Sequence, residues 1–201
     1  MTPPAAPRVR AYAALELSSA WRAHLGEIAA RLQSDLSRGA VRWAKPDGIH
    51  LTLKFYGEVK SERLPAIEDS LRSAADNCPP LRLMLEGLGV FPGLNRPRVI
   101  WAGVGGDFDA LSALQKAVED GAAALGFARE ARPFAAHLTL GRVSEQPAAA
   151  DLRKLPDLLG RPLGPAAPLT VTSLSLMRSE LKPGGAVYTR LFAAPLNGRK
   201  F

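Results

Sequence analysis

The spacing of apolar residues divides the chain into strands and amphipathic helices. Large apolar residues recur every three or four positions from Trp21 to Leu36, behind two serines that can act as an N-cap, which predicts a helix. The same spacing predicts helices at about 61–77, 107–125 and 149–159. Short apolar or alternating runs between turn residues predict strands at 8–17, 41–43, 48–59, 81–90, 98–104, 134–143, 169–178 and 186–194.

These elements follow the same order in both halves of the chain: a strand, a helix and a further strand. In each half the last strand carries the tetrapeptide His-Leu-Thr-Leu, which begins at His50 and again at His137. The chain has only three histidines, so two of them stand in identical settings. We therefore predict two related lobes that face each other across a cleft, with one tetrapeptide strand on each wall.

The tetrapeptides can supply acid–base chemistry. Side chains alternate across a strand, so His50 and Thr52 share one face, as do His137 and Thr139, while the leucines point into the core. An imidazole titrates near neutrality, so one histidine can be neutral while the other is protonated. In a displacement at phosphorus, such a pair can activate a water and protonate the leaving oxygen. The threonine hydroxyls can donate hydrogen bonds to the non-bridging phosphate oxygens.

Composition narrows the partners and the setting. A net charge of +7 favours a polyanionic partner such as RNA or a nucleotide. The single cysteine excludes an internal disulfide and a cysteine-built metal site, and no metal or phosphate-loop motif is found, so we expect no cofactor. No apolar run reaches the ~18 residues of a membrane span. We expect a monomer in the cytoplasm, away from membranes, with a flexible tail at 1–7 and one two-lobed domain at 8–201.

Two basic residues near the tetrapeptides are further candidates for phosphate contacts. Lys54 has the same parity as His50, so a regular strand would place it on the cleft side. Arg142 has the opposite parity to His137 and reaches the cleft only if the strand ends or bulges at Gly141. Either residue could instead be a solvated surface charge.

Longer stretches around these residues resemble the two-histidine phosphoesterases, and within them the RNA 2',3'-cyclic phosphodiesterases, also called 2'-5' RNA ligases. The stretches are RVRAYAALEL, VRWAKPDGIHLTLKFYGEV, LEGLGVFPGLNRPRVIWAGV, ALGFAREARPFAAHLTLGRV and LSLMRSELKPGGAVYTRL. They cover nearly the whole chain in order, which is more specific than the tetrapeptides alone. The resemblance implies an α+β fold with two lobes and pseudo-twofold symmetry, two antiparallel sheets facing a central cleft, and helices outside.

The resemblance also implies an activity and roles for individual residues. Members of the family hydrolyse 2',3'-cyclic phosphate ends of RNA to 2'-phosphomonoesters without a metal. By resemblance, His50 is the general acid that protonates the departing O3', and His137 is the base that activates water. Thr52 and Thr139 would bind phosphoryl oxygens, and Arg142 matches an arginine that contacts phosphate.

Phe55 matches a phenylalanine of the family, five residues after the first histidine, and is a candidate for stacking on a base. The chain departs from the family at Ala135 and Ala136, where relatives often have a basic residue and usually a proline before the second histidine. Two alternatives stay open. The same histidines could join RNA ends through 2'-5' bonds in the reverse reaction, or the protein could be an RNA-binding module without catalysis.

Overall fold

The computed structural model describes residues 7–183 and 185–198. Of the predicted flexible tail, only Pro7 lies among these residues, and 1–6 lie outside them. The helices and strands of the described part follow the predicted order. They are β1 (Arg8–Glu16), α1 (Ser19–Asp35), β2 (Val41–Trp43), β3 (His50–Lys60), α2 (Leu64–Asp76), β4 (Leu81–Phe91), β5 (Val99–Gly106), α3 (Phe108–Ala124), β6 (His137–Val143), α4 (Ala149–Leu159), β7 (Leu169–Val171), β8 (Ser173–Lys182) and β9 (Gly185–Pro195).

The strands form two antiparallel sheets, which confirms the expected α+β fold with two lobes. The first sheet has the strand order β3-β1-β8-β9, and the second has the order β2-β6-β5-β4-β7. The two tetrapeptide strands are β3, at the edge of the first sheet, and β6, one strand in from the edge of the second. Backbones of β3 and β6 approach within 8 Å between Cα atoms, so the fold brings the two tetrapeptides together.

The chain crosses between the two sheets more often than the sequence suggests. β2 directly precedes β3 but belongs to the second sheet. The single strand predicted at 169–178 is wrong, because it breaks at Thr172 into β7 of the second sheet and β8 of the first. The apolar pattern continues through this break without glycine, proline or charge, so no sequence signal marks it.

Helices cover the sheet faces away from the cleft. The Ser18 hydroxyl accepts a hydrogen bond from the Trp21 backbone N–H, which confirms the predicted N-cap of α1. The second helix begins at Leu64 rather than 61, because 61–63 form a 3-10 turn. α3 packs against β3, and α2 packs against β8 and β9. No helix in the described ranges is long and apolar enough to cross a membrane.

One large hydrophobic core runs through both lobes. The leucines that follow the tetrapeptide histidines, Leu51 and Leu138, are 1% and 0% exposed, so their predicted anchoring role is confirmed. Burying a leucine contributes on the order of 2 kcal/mol, which holds each tetrapeptide strand firmly against the helices. The histidine and the threonine on either side of each of these leucines are thereby fixed on the opposite face of the strand.

Candidate active site

The same local contact holds both tetrapeptide histidines. His50 Nδ1 lies 2.9 Å from the carbonyl oxygen of Gly48, and His137 Nδ1 lies 2.8 Å from that of Ala135. A carbonyl oxygen only accepts hydrogen bonds, so each Nδ1 carries a hydrogen and donates it. Nε2 is therefore the nitrogen of each ring that is left to take up or release a proton.

A β-bulge inside the first tetrapeptide reverses the alternation of side chains along β3. Thr52 pairs with Ala14 of β1, and Lys54 pairs with Ala13, so Leu53 is an extra residue without a partner of its own. Adjacent residues of β1 point to opposite faces, and consequently Thr52 and Lys54 do as well. We call the sheet face that carries the histidines the cleft face, and the other the core face.

The second tetrapeptide contains a bulge at the equivalent position. Thr139 pairs with Trp101 of β5, and Gly141 pairs with Ile100, which leaves Leu140 as the extra residue. Ile100 is 1% exposed and belongs to the core, so Gly141 also lies on the core face. The two lobes thus share the bulge as well as the tetrapeptide.

The bulges place the fifth residue after each histidine on the cleft face. In β6 that residue is Arg142, which pairs with Val99 and is exposed. The structure therefore provides the bulge, one residue before Gly141, that Arg142 needs to reach the cleft. In β3 the equivalent residue is Phe55, which is 46% exposed and has the Arg10 guanidinium carbon 4.6 Å from its ring centroid.

The predicted position of Lys54 on the cleft face is wrong. Its ammonium group is buried on the core face, where it donates to Glu119 Oε1 of α3 at 2.6 Å and to the carbonyl oxygen of Ala128 at 2.6 Å. The same Glu119 oxygen accepts from the backbone N–H of Glu130. Lys54 is thus a structural residue that ties β3 to the segment before β6, and the bulge at Leu53 is the reason.

Two tyrosines enclose His50. Tyr12 of β1 stacks on the imidazole with ring centroids 4.7 Å apart, and Tyr188 of β9 meets it edge-on at 5.1 Å. Tyr188 also packs on Gly48, where a Cβ would lie 2.9 Å from the tyrosine ring. The carbonyl that accepts from His50 is thereby held in place by a ring that also touches His50.

This enclosure changes the proton affinity of His50. Burial lowers the pKa of His50 below its ordinary value of 6.5, because the charged imidazolium is poorly solvated there. The Gly48 carbonyl and the carboxylate of Glu16 oppose the effect. Glu16 pairs with His50 across β1 and β3, accepts from the Ser175 hydroxyl at 2.6 Å, and forms an ion pair with Arg190 at 3.2 Å.

His137 has a different set of aromatic neighbours. Phe91 meets its ring edge-on with centroids 5.0 Å apart, and Trp101 lies at 6.5 Å. The ring centroids of Phe91 and Trp101 are 5.0 Å apart, so the two side chains form one apolar wall beside His137. Neither side chain carries an ionisable group, in contrast to Tyr12 and Glu16 beside His50.

The remaining candidates are the two threonines. Thr52 and Thr139 are half-buried on the cleft face, and neither hydroxyl forms a hydrogen bond within the described part of the chain. Each hydroxyl can therefore donate to an oxygen of a bound anion. Among the residues that the structure describes, no three His, Cys, Asp or Glu side chains come together as a metal site.

Sequence reasoning missed Tyr12, Glu16 and Tyr188. A signal for the first two exists in β1, where Tyr12, Ala14 and Glu16 alternate with core residues and so share the cleft face. Tyr188 has no such signal, because its contact with His50 joins strands far apart in the chain.

A family model described as LigT like Phosphoesterase matches residues 15–101 and 106–188. The RNA 2',3'-cyclic phosphodiesterase of Methanothermobacter thermautotrophicus is 35% identical over 183 residues, which is 90% of this chain and 96% of that protein. The RNA 2',3'-cyclic phosphodiesterase of Aeropyrum pernix is 35% identical over 81% of this chain and 92% of that protein.

Solved structures of related proteins superpose on nearly the whole of this chain. A crystal structure of a Thermus thermophilus protein superposes with a TM-score of 0.75 at 30% identity, covering 95% of this chain and all of that one. Escherichia coli LigT complexed with 3'-AMP superposes with a TM-score of 0.74 at 25% identity, covering 94% of this chain and 98% of that one. Because the family model spans both lobes and both tetrapeptide strands, the chain belongs to the LigT-like phosphoesterase family.

Proposed function

We propose that this protein hydrolyses 2',3'-cyclic phosphate ends of RNA to 2'-phosphomonoesters, without a metal. His50 acts as the general acid and His137 as the general base. The names of the relatives support the substrate, since the two described above are RNA 2',3'-cyclic phosphodiesterases. The basic net charge of the chain suits a polyanionic substrate.

One observation carries the proposal: two imidazoles are presented in the same way on strands that approach each other. Each Nδ1 is committed to a backbone carbonyl, so each ring offers Nε2 for proton transfer. An in-line displacement at phosphorus needs one group to accept a proton and another to donate one. A structural histidine would not require the same tautomer, the same threonine and the same bulge in both lobes.

In the proposed reaction, neutral His137 takes a proton from a water through Nε2 as the water oxygen attacks phosphorus. The bond from phosphorus to O3' breaks, and protonated His50 gives its Nε2 proton to that oxygen. The product is a 2'-phosphomonoester and a free 3'-hydroxyl. Thr52 and Thr139 donate hydrogen bonds to the non-bridging oxygens, and proton exchange with solvent restores the two histidines.

The negative charge near His50 opposes the effect of burial on its pKa. Burial lowers its pKa in the free protein, and the neighbouring carboxylate of Glu16 opposes this. The negative charge of a bound phosphodiester acts in the same direction as Glu16, since an anion close to an imidazole favours its protonated form. The substrate itself would therefore help to protonate the residue that later gives up the proton.

The test uses a short RNA ending in a 2',3'-cyclic phosphate, incubated with the protein in EDTA, with the product resolved as a 2'- or 3'-phosphate. A 2'-phosphate whose formation is lost in His50→Ala and in His137→Ala is the expected result. A 3'-phosphate would reverse the orientation of the substrate and the leaving oxygen. Activity that EDTA abolishes and a divalent ion restores would contradict the proposal, as would no reaction at all.

We also propose an oligomeric state and a location for the protein: it acts as a monomer in the cytoplasm, where RNA with cyclic ends would be its substrate. Both lobes share one core, so a single chain supplies both cleft walls. Sedimentation at working concentration tests the monomer, and a stable dimer would contradict it.

A further inference from the structure

A pair of arginines extends the cleft face beyond the predicted site. β2 is the edge strand of the second sheet and pairs antiparallel with β6, so that Arg42 lies directly opposite Arg142. On either side of Arg42, Val41 and Trp43 point to the core face, where a Cβ at Gly141 would lie 2.5 and 3.1 Å from their side chains. Arg42 therefore shares the cleft face with Arg142.

These two charges are not neutralised by the protein. Like charges directly opposite each other on neighbouring strands destabilise a sheet. Seven other arginines in the described ranges form ion pairs with carboxylates, but neither Arg42 nor Arg142 does. Both are exposed, which leaves their guanidinium groups available to an anion.

Arg42 lies on a different strand from the histidines, the threonines and Arg142. The histidines and threonines stand on β3 and β6, and Arg142 follows the second tetrapeptide on β6 itself. Arg42 stands one strand further out, a displacement of about 4.8 Å across the sheet. Its guanidinium group can thus reach an anion beside the one bound between the histidines.

We propose that Arg42 binds a second phosphate of the substrate, the phosphodiester that precedes the nucleotide with the cyclic end. This inference rests on the proposed function. An RNA chain carries such a phosphate, whereas a nucleoside 2',3'-cyclic phosphate has only the reacting one. Guanidinium groups suit phosphate because their planar N–H donors can form paired hydrogen bonds with its oxygens. Arg42 is thus a specificity residue that makes the enzyme favour oligonucleotide ends over mononucleotides.

The test compares three substrates. The first is adenosine 2',3'-cyclic phosphate, and the second is a dinucleotide of two adenosines joined by a 3'-5' phosphodiester that ends in a 2',3'-cyclic phosphate. The third is the same dinucleotide with a neutral methylphosphonate in place of the phosphodiester. Arg42→Ala is expected to lower kcat/KM about tenfold for the charged dinucleotide and less than twofold for the other two. The slope of log kcat/KM against log salt for the charged dinucleotide should become shallower by about 0.7, the value for one phosphate contact on a single strand.

A matched control removes the same charge elsewhere. Arg153 of α4 is exposed in the helix layer and forms no ion pair in the described ranges, so Arg153→Ala should leave the ratio between substrates unchanged. Arg42→Ala should also keep or raise Tm, because it removes a like-charge contact.

Each other outcome has a distinct meaning. Equal losses of kcat/KM on all three substrates would overturn the proposal, since Arg42 would then act on the reacting phosphate. A fall of several degrees in Tm would also overturn it. Unchanged kinetics on the charged dinucleotide would also overturn it. If the native protein turns over none of the three substrates, the proposed function fails instead.

Discussion

The two tetrapeptide strands are alike in geometry and different in surroundings. Both carry the same four residues, the same bulge and the same bond from Nδ1 to a backbone carbonyl. His50, however, stands between two tyrosines and near a carboxylate, while His137 stands beside an apolar wall. The tetrapeptide thus fixes where each imidazole sits and which nitrogen is free. The neighbours on other strands give each imidazole a different environment, and burial there lowers the pKa of His50.

The same contrast continues one and two residues beyond each bulge. The first lobe has a buried lysine and then an exposed phenylalanine, at Lys54 and Phe55. The second lobe has Gly141 and then Arg142 in the equivalent positions. One end of the symmetric framework therefore offers an aromatic surface, and the other offers a positive charge.

The largest expected effect separates the two histidines by role. His50→Ala and His137→Ala should each lower kcat on a cyclic RNA end by about 10²- to 10⁴-fold, the usual contribution of a general acid or base. On a phosphodiester with a p-nitrophenolate leaving group, which needs no proton, His50→Ala should lose much less than His137→Ala. Steady-state kinetics on both substrates provide the measurement, and the reverse pattern would exchange the two roles.

The next effect concerns stability and distinguishes Lys54 from a surface lysine. Lys54→Ala should lower the free energy of unfolding by about 3–5 kcal/mol, because it leaves Glu119 buried without its cation. Lys60→Ala is the matched control on the same strand, since its ion pair with Glu62 is exposed and should contribute at most about 1 kcal/mol. Urea unfolding measures both, and equal small losses would mean that Lys54 does not hold β3 to α3.

Smaller effects should separate Arg142 from Phe55. Arg142→Ala should lower kcat/KM by about 10- to 100-fold for every base, because a charged hydrogen bond to phosphate is lost. Phe55→Ala should cost about 1–3 kcal/mol of binding for a purine end, the range for stacking of one base. An abasic ribose with a cyclic phosphate tests the difference. Its turnover should fall in Arg142→Ala and stay unchanged in Phe55→Ala, and a loss in both variants would refute the stacking role.

The smallest effect is a shift in titration at His50. Because burial lowers its pKa below 6.5, the histidine should titrate below 6.5 when followed by NMR in the free protein. The unfolded chain then binds this proton more readily than the folded one. The stability contribution of neutral His50 is accordingly complete above about pH 6.5 and declines as the pH falls through the folded pKa.

Glu16→Gln sharpens this prediction, since the carboxylate raises the pKa of His50. Its removal should lower the titration midpoint further. If His50 is the acid, the alkaline limb of the kcat/KM profile should move to lower pH, and if it is the base, the acidic limb should move instead. A midpoint that rises in Glu16→Gln would contradict the electrostatic role of that carboxylate.

Much of this arrangement could be predicted from the sequence. Helices were predictable because residues such as Leu25 and Ile28 recur with helical spacing, and both are buried in the core. The tetrapeptides identified the two strands that come together because repeated polar residues between core leucines have no purely structural explanation.

The rest depends on contacts between strands. Nothing local marks Leu53 or Leu140 as a bulge, because a bulge is a property of the pairing and not of one strand. Regular alternation of side chains therefore predicts the wrong face for Lys54. It places Arg142 on the cleft face only if the strand ends or bulges at Gly141. Arg42 and Tyr188 join the cleft through strand pairing and packing across the sheets, so no spacing along the chain could reveal them.

The crossing of strands between the lobes has a consequence for synthesis on the ribosome. The first lobe is built from β1 and β3, which emerge early, and from β8 and β9, which emerge late. Domains usually fold as complete units during translation, but this sheet lacks two of its four strands until β8 and β9 have been made. Tyr188 on β9 then closes over His50 and Gly48. A growing chain thus carries His50 without its full surroundings until β9, the last of the described strands, has been made.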